Sequence, residues 1–304
     1  MGRASNCNVC GAVLAPRFEA VLDPQTREVF AIDACTACGL GHTTPQPEDL
    51  GRYYGPSYHG GRHGLTARYC MARRIRLVRD AAGEAHGRRL LDVGCGDGSF
   101  LAASRDRAGW EVGGTEMNPA GARARGLEVR SSIEEIAELG PFGCITLWHS
   151  LEHLRDPRAA LTALARLLTP DGVLIAAVPD AGGIQARTFG ARWFHLDVPR
   201  HLYHFDRPSL RLALETAGME PVRHWHQELE YDLFGWSQSA LNSVMPSPNV
   251  FFNQLTGKPV SSGLVERGAN MLLGAALTAL SVPAVPAGTL LGRGGTLIMA
   301  ARKI

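Results

Sequence analysis

The sequence predicts an α/β protein whose main part is a doubly wound, seven-stranded sheet preceded by a small cysteine-bearing module. From residue 88 onward, short apolar runs alternate with segments of helical periodicity, which is typical of strands joined by helices. The stretch 88–100 joins one such strand to a helix through a glycine-rich turn. Residues 1–45 contain two Cys-x2-Cys pairs.

Length and composition are those of an ordinary globular protein. The chain has 304 residues, of which 45% are hydrophobic and 20% charged, enough for one large domain with additions or for two domains. The net charge of +2 argues against a broad nucleic-acid-binding surface. No apolar secretory run follows Met1, so we expect the protein in the reducing cytoplasm.

The cysteine pairs predict a structural metal site in residues 1–45. Four thiolates on two CxxC turns suit a tetrahedral Zn²⁺ ion. The residues between the pairs are predicted to form two short strands, so the module is a zinc ribbon. Disulfides or a redox pair are the alternative. The predicted ligands are Cys7, Cys10, Cys35 and Cys38.

Residues 46–86 are predicted to connect the ribbon to the sheet. Their first part is rich in Gly, Pro and Tyr, which suits a lid over a substrate pocket as well as a structural wrap. Tyr58 is the candidate substrate contact in this part. The second part, 65–86, has helical periodicity and is predicted to lead into the sheet.

The main domain is predicted at 87–304, with an apolar helical insertion at 231–292 that separates the last strand from the others. Turn and capping residues set the predicted boundaries. The predicted strands are 89–93, 111–115, 127–130, 143–148, 173–178, 221–227 and 295–301. The predicted helices are 98–108, 119–125, 132–138, 157–168 and 207–217.

The turn after the first of these strands predicts a ligand site. Asp92 comes near the end of the strand, and Gly94, Gly96 and Gly98 follow it. Glycines at this position let backbone N–H groups approach a ligand closely. An acid before the turn would repel a pyrophosphate, and Ser99 stands where a dinucleotide-binding motif has its third glycine. The acid suits a cationic ligand instead, such as S-adenosylmethionine with its ammonium and sulfonium groups.

A second acid, Glu116, follows the next strand. Comparable folds place a carboxylate there that accepts hydrogen bonds from both ribose hydroxyls. The fourth strand ends in His149 and Ser150, and ligands lie outside the carboxyl ends of such strands, where the strand order switches. We therefore expect both residues near the ligand, with loop hydrogen bonds and helix capping as the alternative.

These motifs resemble those of class I S-adenosylmethionine-dependent methyltransferases with a Rossmann-like sheet, and more narrowly bacterial sugar and natural-product methyltransferases with an N-terminal zinc-binding module. The resemblance covers most of the chain outside 231–292. It rests on the cysteine pairs and on LDVGCGDG, EMN, WHSLEHL followed by DP, and DVPRHL. It implies cofactor contacts at Asp92, Gly94, Gly96 and Glu116, with Met117 or Asn118 beside the adenosine. Cys95 and Gly98 join the predicted cofactor site through their position in the turn, and His149 and Ser150 through their position after the fourth strand.

The resemblance leaves the acceptor open, and we expect a sugar, glycolipid or secondary metabolite methylated at oxygen or carbon. Methyl transfer is an in-line displacement that needs alignment and, for a hydroxyl or carbon acid, a base. His201 is the candidate base, with His149 as a second catalytic candidate. Alternatively, His201 bonds a loop carbonyl and Arg200 pairs with Glu152. The predicted acceptor-binding residues are Tyr58, Trp193, Arg200 and Tyr203.

Residues 268–292 carry no charge and are long enough to cross a bilayer. Prolines interrupt the segment, small and polar residues form a stripe along it, and a crossing would separate the last strand from the sheet. We therefore expect a helix that packs on the domain, lies in a membrane surface or forms a dimer interface. The stripe consists of Asn270, Gly274, Thr278 and Ser281.

Two other functions compete with the small-molecule methyltransferase. An RNA methyltransferase would use the ribbon to hold nucleic acid, but the ribbon lacks a Lys/Arg stripe and WHSLEH differs from the motifs of base-modifying enzymes. A module that binds the cofactor or a partner without turnover is the other alternative. The intact acids and glycines of the turn argue against it. No nucleic-acid partner is expected.

Overall fold

The computed structural model describes residues 6–54, 65–83, 88–260 and 262–304. The chain forms two compact units. The first, here called the ribbon unit, comprises Met1–Gly60, Pro179–Ser209 and Trp225–Leu297. The second, here called the sheet unit, comprises Gly61–Val178, Leu210–His224 and Ile298–Ile304.

The ribbon unit contains a four-stranded sheet in which the predicted pair of strands is extended by two more. The strands are β1 (Leu14–Leu22), β2 (Val29–Cys35), β3 (Gly41–Thr44) and β9 (Tyr203–His204), in the order β1-β2-β3-β9. All neighbours are antiparallel. Gly41 allows β9 to approach, because a Cβ at this position would lie 2.9 Å from the Cβ of His204.

The seven-stranded sheet confirms the predicted fold class. Its order is β10 (Met219–His226), β11 (Thr296–Lys303), β8 (Leu168–Pro179), β7 (Phe142–Trp148), β4 (Arg89–Val93), β5 (Glu111–Thr115) and β6 (Glu128–Arg130). The pairs from β8 to β6 are parallel. Every residue of β7 is buried, as expected for a strand covered on both faces.

The strand order switches at β4. From β4 the chain first builds β5 and β6 on one side and then β7 and β8 on the other. The carboxyl ends of β4 and β7 therefore flank the crevice in which an open parallel sheet binds its ligand. The residues that follow these two strands are Gly94 and His149.

The helix predicted in 65–86 and the five helices predicted in the main domain are present. Those predicted at 119–125 and 132–138 have four residues each instead of seven. Asp156 caps α5 by accepting a hydrogen bond from the backbone N–H of Ala159 at 2.9 Å, and Pro157 occupies the first helical position. The helices are α1 (Leu65–Ala82), α2 (Ser99–Ala108), α3 (Ala120–Arg123), α4 (Ile133–Ile136), α5 (Pro157–Leu167) and α7 (Arg207–Thr216).

Among the described residues, the ribbon unit contains five further α-helices. Four of them lie within 229–290, which overlaps the helical insertion predicted at 231–292. The five are α6 (Ile184–Phe189), α8 (Leu229–Val244), α9 (Val250–Leu255), α10 (Leu264–Ser281) and α11 (Ala284–Leu290). Within the described part of the chain, no helix by itself has the length and hydropathy of a membrane span. The α10–α11 pair meets both criteria together but is bent by 41°.

Candidate functional site

The turn between β4 and α2 is shaped by three glycines with positive φ. Gly94, Gly96 and Gly98 have φ values of 74°, 57° and 76°. A Cβ on Gly94 would lie 2.6 Å from the Cβ of Ser150, whereas a Cβ on Gly96 would meet no atom within 4 Å. Gly94 is therefore needed for packing, while the space beside Gly96 is open to a ligand.

Asp92 lies in the sheet directly below this turn and is 3% exposed. Its Oδ1 accepts a hydrogen bond of 2.7 Å from the hydroxyl of Thr146 on β7. Burial raises the pKa of Asp92 to about 7, and the charge of Glu116 acts in the same direction, while Thr146 and the charge of Arg74 oppose the shift. A cation bound nearby would favour the ionised carboxylate.

Glu116 follows β5 and faces the same turn. Its Oε2 accepts a hydrogen bond of 2.8 Å from the backbone N–H of Gly96. Its Oε1 lies 3.5 Å from the N–H of Asn118. Met117 is 71% exposed. Of the three residues predicted after β5, Glu116 thus contacts the glycine turn directly, and Asn118 contacts Glu116. The cofactor contacts of Met117 and Asn118 stay predictions.

Ser150 and His149 come directly after β7. The hydroxyl of Ser150 donates a hydrogen bond of 2.6 Å to the carbonyl of Val93, which ties the end of β7 to the end of β4. His149 has a φ of 54°, a conformation that costs energy in a residue other than glycine and that often marks functional sites. Its Nδ1 lies 3.7 Å from Oε1 of Glu152, which is 1% exposed.

Cys95 turns its side chain away from the open face of the glycine turn. Its Sγ would lie 2.9 Å from a Cβ on Gly114 of β5, so the absence of a side chain on Gly114 makes room for the thiol. The thiol therefore packs toward β5, and the contact of the Cys95 backbone with a ligand stays a prediction.

The four cysteines of the ribbon converge. Their Sγ atoms all lie within 4.8 Å of one another, with Cys7 and Cys38 at 3.7 Å and Cys10 and Cys35 at 3.3 Å. These separations are near the value of about 3.8 Å between sulfurs that bind one zinc ion in a tetrahedron. The donor set therefore fits a closed structural zinc site.

Arg200 is the centre of a buried ion cluster in the ribbon unit. Its Nη2 lies 2.9 Å from Oδ1 of Asp23 and 2.7 Å from Oδ1 of Asp197, and its Nη1 donates to the carbonyl of Tyr53 at 3.3 Å. Arg200 is 1% exposed. Although burial lowers the pKa of Arg200, the two carboxylates raise it above its ordinary value.

His201 is buried beside this cluster. Its Nδ1 lies 2.8 Å from the carbonyl oxygen of His195. Because a carbonyl only accepts, Nδ1 carries the proton, and Nε2 bears the lone pair in the neutral ring. Burial lowers the pKa of His201, while Asp197 opposes this shift. The loop-carbonyl bond given as the alternative is thus present, and it fixes the tautomer that a base at Nε2 requires.

The aromatic candidates lie in the ribbon unit, except that Tyr58 falls outside the described residues. Tyr203 packs edge-on against His42, with ring centroids 5.0 Å apart. Trp193 packs edge-on against His195 at 5.5 Å and lines a cavity of about 340 Å³. Neither contact by itself shows an acceptor.

Sequence reasoning missed three residues that support these sites. Thr146 holds Asp92, Glu152 lies beside His149, and Asp23 pairs with Arg200. Glu152 lies in the motif WHSLEH, and Thr146 comes two residues before it. The expected pairing of the two strands could therefore have placed both residues near the site. Asp23 lies in the turn between β1 and β2, and no local sequence pattern links it to Arg200.

Comparisons with known proteins identify the family. A family model described as a methyltransferase domain matches residues 62–224. The chain is 32% identical to a ubiquinone biosynthesis O-methyltransferase of Bordetella avium (strain 197N), over 49% of this chain and 68% of that protein. It is 39% identical to the protein of the same name from Alkalilimnicola ehrlichii, over 34% of this chain and 46% of that protein.

A solved structure shows a similar fold. The cyclopropane synthase MmaA2 from Mycobacterium tuberculosis superimposes with a TM-score of 0.50 at 16% identity, over 82% of this chain and 91% of that chain. At this identity the likeness concerns the fold alone.

Proposed function

Because this chain belongs to the class I S-adenosylmethionine-dependent methyltransferases, we propose that it transfers the methyl group of S-adenosylmethionine to a small-molecule acceptor. The observation that carries the proposal is the pair of carboxylates at the glycine turn. Asp92 and Glu116 are both hydrogen-bonded by neutral donors, a hydroxyl and a backbone N–H. A positively charged nucleoside suits such a site better than a pyrophosphate does.

Each part of this site has its own role in the proposal. Glu116 accepts the ribose hydroxyls, and Asp92 favours the positive charge of the methyl donor electrostatically. The backbone of Gly94, Gly96 and Gly98 allows close approach, and Met117 or Asn118 lies beside the adenine. His149 and Ser150 face the methyl donor at the end of β7. Gly94 and Ser150 also keep the ends of β4 and β7 in contact.

We further propose oxygen rather than carbon as the methylated atom, because the relatives are named O-methyltransferases. In this scheme Nε2 of His201 takes the proton from the acceptor hydroxyl. The oxygen forms a bond to the methyl carbon while the carbon–sulfur bond breaks, and its electron pair stays on sulfur. The lowered pKa of His201 keeps the ring neutral at physiological pH, as a base requires.

The acceptor itself belongs to the proposal. A sugar, a glycolipid or a secondary metabolite offers a hydroxyl of the required kind. Trp193, Tyr203 and Tyr58 are the proposed acceptor contacts, and Trp193 lines the cavity described above. Arg200, which the sequence groups with them, is instead assigned to the buried ion cluster with Asp23 and Asp197.

The cysteine cluster is proposed to hold a structural zinc ion. Cys7, Cys10, Cys35 and Cys38 would supply all four ligands, and the ion would crosslink the two CxxC turns. A closed set of four sulfurs leaves no position for water or substrate, so zinc has no catalytic part here.

Isothermal titration with S-adenosylmethionine tests the central claim. Asp92→Asn removes the charge while keeping the size, and we expect at least about a tenfold loss of affinity. Asp106→Asn is the matched control, since Asp106 is an exposed residue paired with Arg105 on α2. Equal affinity in wild type and Asp92→Asn, or preference for a dinucleotide, would overturn the proposal.

A second measurement separates binding from chemistry. With His201→Gln we expect a fall in the rate of methyl transfer while the affinity for S-adenosylmethionine is unchanged. Loss of cofactor affinity in this variant would contradict the role assigned to His201.

A further inference from the structure

Helix α10 turns its small and polar residues inward and its leucines outward. Asn270 and Gly274 are buried, and a Cβ on Gly274 would lie 2.4 Å from the ring of Phe251 on α9. The stripe predicted from the sequence is thus the packing face, which lies against α8 and α9. In a surface helix of a globular protein, the leucines normally form the face that packs against the core.

The opposite side of the helix is apolar and exposed. Leu264, Val265, Leu272 and Leu280 are 85%, 89%, 76% and 73% exposed, and Leu290 on α11 is 88% exposed. An apolar face of this extent marks a contact surface. We call it the leucine face, and it consists of Leu264, Val265, Leu272, Leu273, Leu280, Val282, Leu290 and Leu291.

Charge and composition indicate what covers the leucine face. Residues 268–292 contain no charged and no aromatic residue, and Arg267 and Arg293 border this stretch. Nη2 of Arg267 donates to the carbonyl of Val260, and the neighbouring Glu266 is held by the backbone N–H and the hydroxyl of Ser247. Protein interfaces draw most of their binding energy from Trp, Tyr and Arg, whereas Leu and Val are under-represented. An aliphatic face with cationic ends matches acyl chains flanked by anionic lipid headgroups.

We propose that α10 and α11 lie in the surface of an anionic lipid bilayer. The leucine face enters the acyl region, and Arg267 and Arg293 stay at the level of the headgroups. A full crossing does not fit, because the pair is bent by 41° and the inner face of α10 is occupied by α8 and α9. This proposal concerns where the protein is located, and it does not depend on the proposed methyl transfer.

Vesicle sedimentation of the full chain tests the proposal. The probes are phosphatidylcholine vesicles with and without phosphatidylglycerol. We expect the wild type to sediment with the vesicles, and more strongly when the anionic lipid is present. Leu272→Glu combined with Leu280→Glu should weaken the partition at least about tenfold, because two charges then enter the acyl boundary.

The matched control carries the same charges elsewhere. Val13 and Val244 are 63% and 73% exposed and lie outside the leucine face, so Val13→Glu with Val244→Glu should bind vesicles like the wild type. The far-ultraviolet circular dichroism spectrum and the unfolding midpoint report whether each variant is folded, independently of lipid and of the cofactor.

Two results would overturn the inference. One is equal vesicle binding by wild type and the Leu272/Leu280 variant. The other is a wild type that does not bind vesicles and has the mass of a dimer in light scattering, while the Leu272/Leu280 variant has the mass of a monomer. That result would assign the leucine face to a second copy of the chain. Cofactor binding and turnover with a water-soluble acceptor test the proposed function separately.

Discussion

Two buried carboxylates, one in each unit, are stabilised in different ways. Asp23 in the ribbon unit is fully buried and pairs with Arg200 at 2.9 Å, with further bonds from the backbone and hydroxyl of Thr26. Asp92 in the sheet unit is almost as buried, but its short hydrogen bond comes from a neutral hydroxyl, that of Thr146.

If the proposed function holds, the difference separates a structural acid, Asp23, from a ligand-binding acid, Asp92. Removing a charge from water is costly, and a resident guanidinium compensates much of this cost within the fold. At Asp92 the compensation is incomplete, as its raised pKa of about 7 indicates. The charge of Arg74 supplies part of the compensation, and in the proposed function the cationic methyl donor supplies more. The following predictions test this contrast between Asp23 and Asp92, from the largest effect to the smallest.

The largest effect is expected from Arg200→Met. This substitution leaves Asp23 buried without its cationic partner, and breaking a buried ion pair in this way costs about 3–5 kcal/mol of folding free energy. Denaturant unfolding followed by circular dichroism measures the loss. Affinity for S-adenosylmethionine, measured where the variant is still folded, should stay near that of the wild type.

An exposed arginine provides the control for this experiment. Arg211 pairs with Glu215 on the surface of α7 at 3.1 Å, and Arg211→Met should cost less than about 1 kcal/mol. If Arg200→Met instead leaves stability unchanged and raises KM for the acceptor, Arg200 binds substrate, as the sequence predicts, and the contrast with Asp92 is lost.

The second effect concerns pH. The pKa of Asp92 is raised to about 7 without ligand, so the carboxylate takes up a proton as the pH falls through 7. A cationic ligand prefers the ionised form. The dissociation constant for S-adenosylmethionine should therefore rise about tenfold per pH unit below 7, when measured down to pH 5.5.

The same pKa has an opposite consequence for the ligand-free protein. A carboxyl whose folded pKa is raised binds a proton that the unfolded chain has already released, so its ionisation destabilises the fold as the pH rises toward 7. Asp92→Asn should remove this contribution and should also flatten the pH dependence of cofactor binding. A steep dependence that persists in Asp92→Asn would assign the titration to another group.

The sequence predicted local features well, because they depend on neighbouring residues. The strand β4, the glycine turn and Glu116 follow from a buried apolar run and from glycines that require positive φ. The pairing of β3 with β9 and of Asp23 with Arg200 joins segments far apart in the chain. No periodicity or spacing encodes such contacts. The stripe of small and polar residues on α10 can be found from the sequence. That this stripe faces inward depends on the close packing of Gly274 against Phe251, which the sequence does not show.

A smaller effect is expected from Glu116→Gln. The amide oxygen still accepts from the N–H of Gly96, so the turn keeps its hydrogen bond of 2.8 Å, but the acceptor for the ribose hydroxyls loses its charge. We expect about a tenfold loss of affinity for S-adenosylmethionine, in the range of a charged hydrogen bond replaced by a neutral one. Folding stability should change little, unlike in Arg200→Met. A large loss of stability would make Glu116 a structural acid like Asp23.

The smallest effect on folding distinguishes two glycines of the same turn. In Gly96→Ala the added Cβ would meet no atom within 4 Å, so the substitution costs only the strain of an L-residue at positive φ, about 1–2 kcal/mol of folding free energy. Gly94→Ala has the same strain and also places its Cβ 2.6 Å from the Cβ of Ser150, so its unfolding midpoint should be lower than that of Gly96→Ala.

The added methyl group at Gly96 occupies the space proposed for the cofactor, and affinity for S-adenosylmethionine should fall in a protein that is otherwise folded. Unchanged affinity in Gly96→Ala would mean that the ligand does not approach this backbone, and the open space beside Gly96 would then have no part in binding.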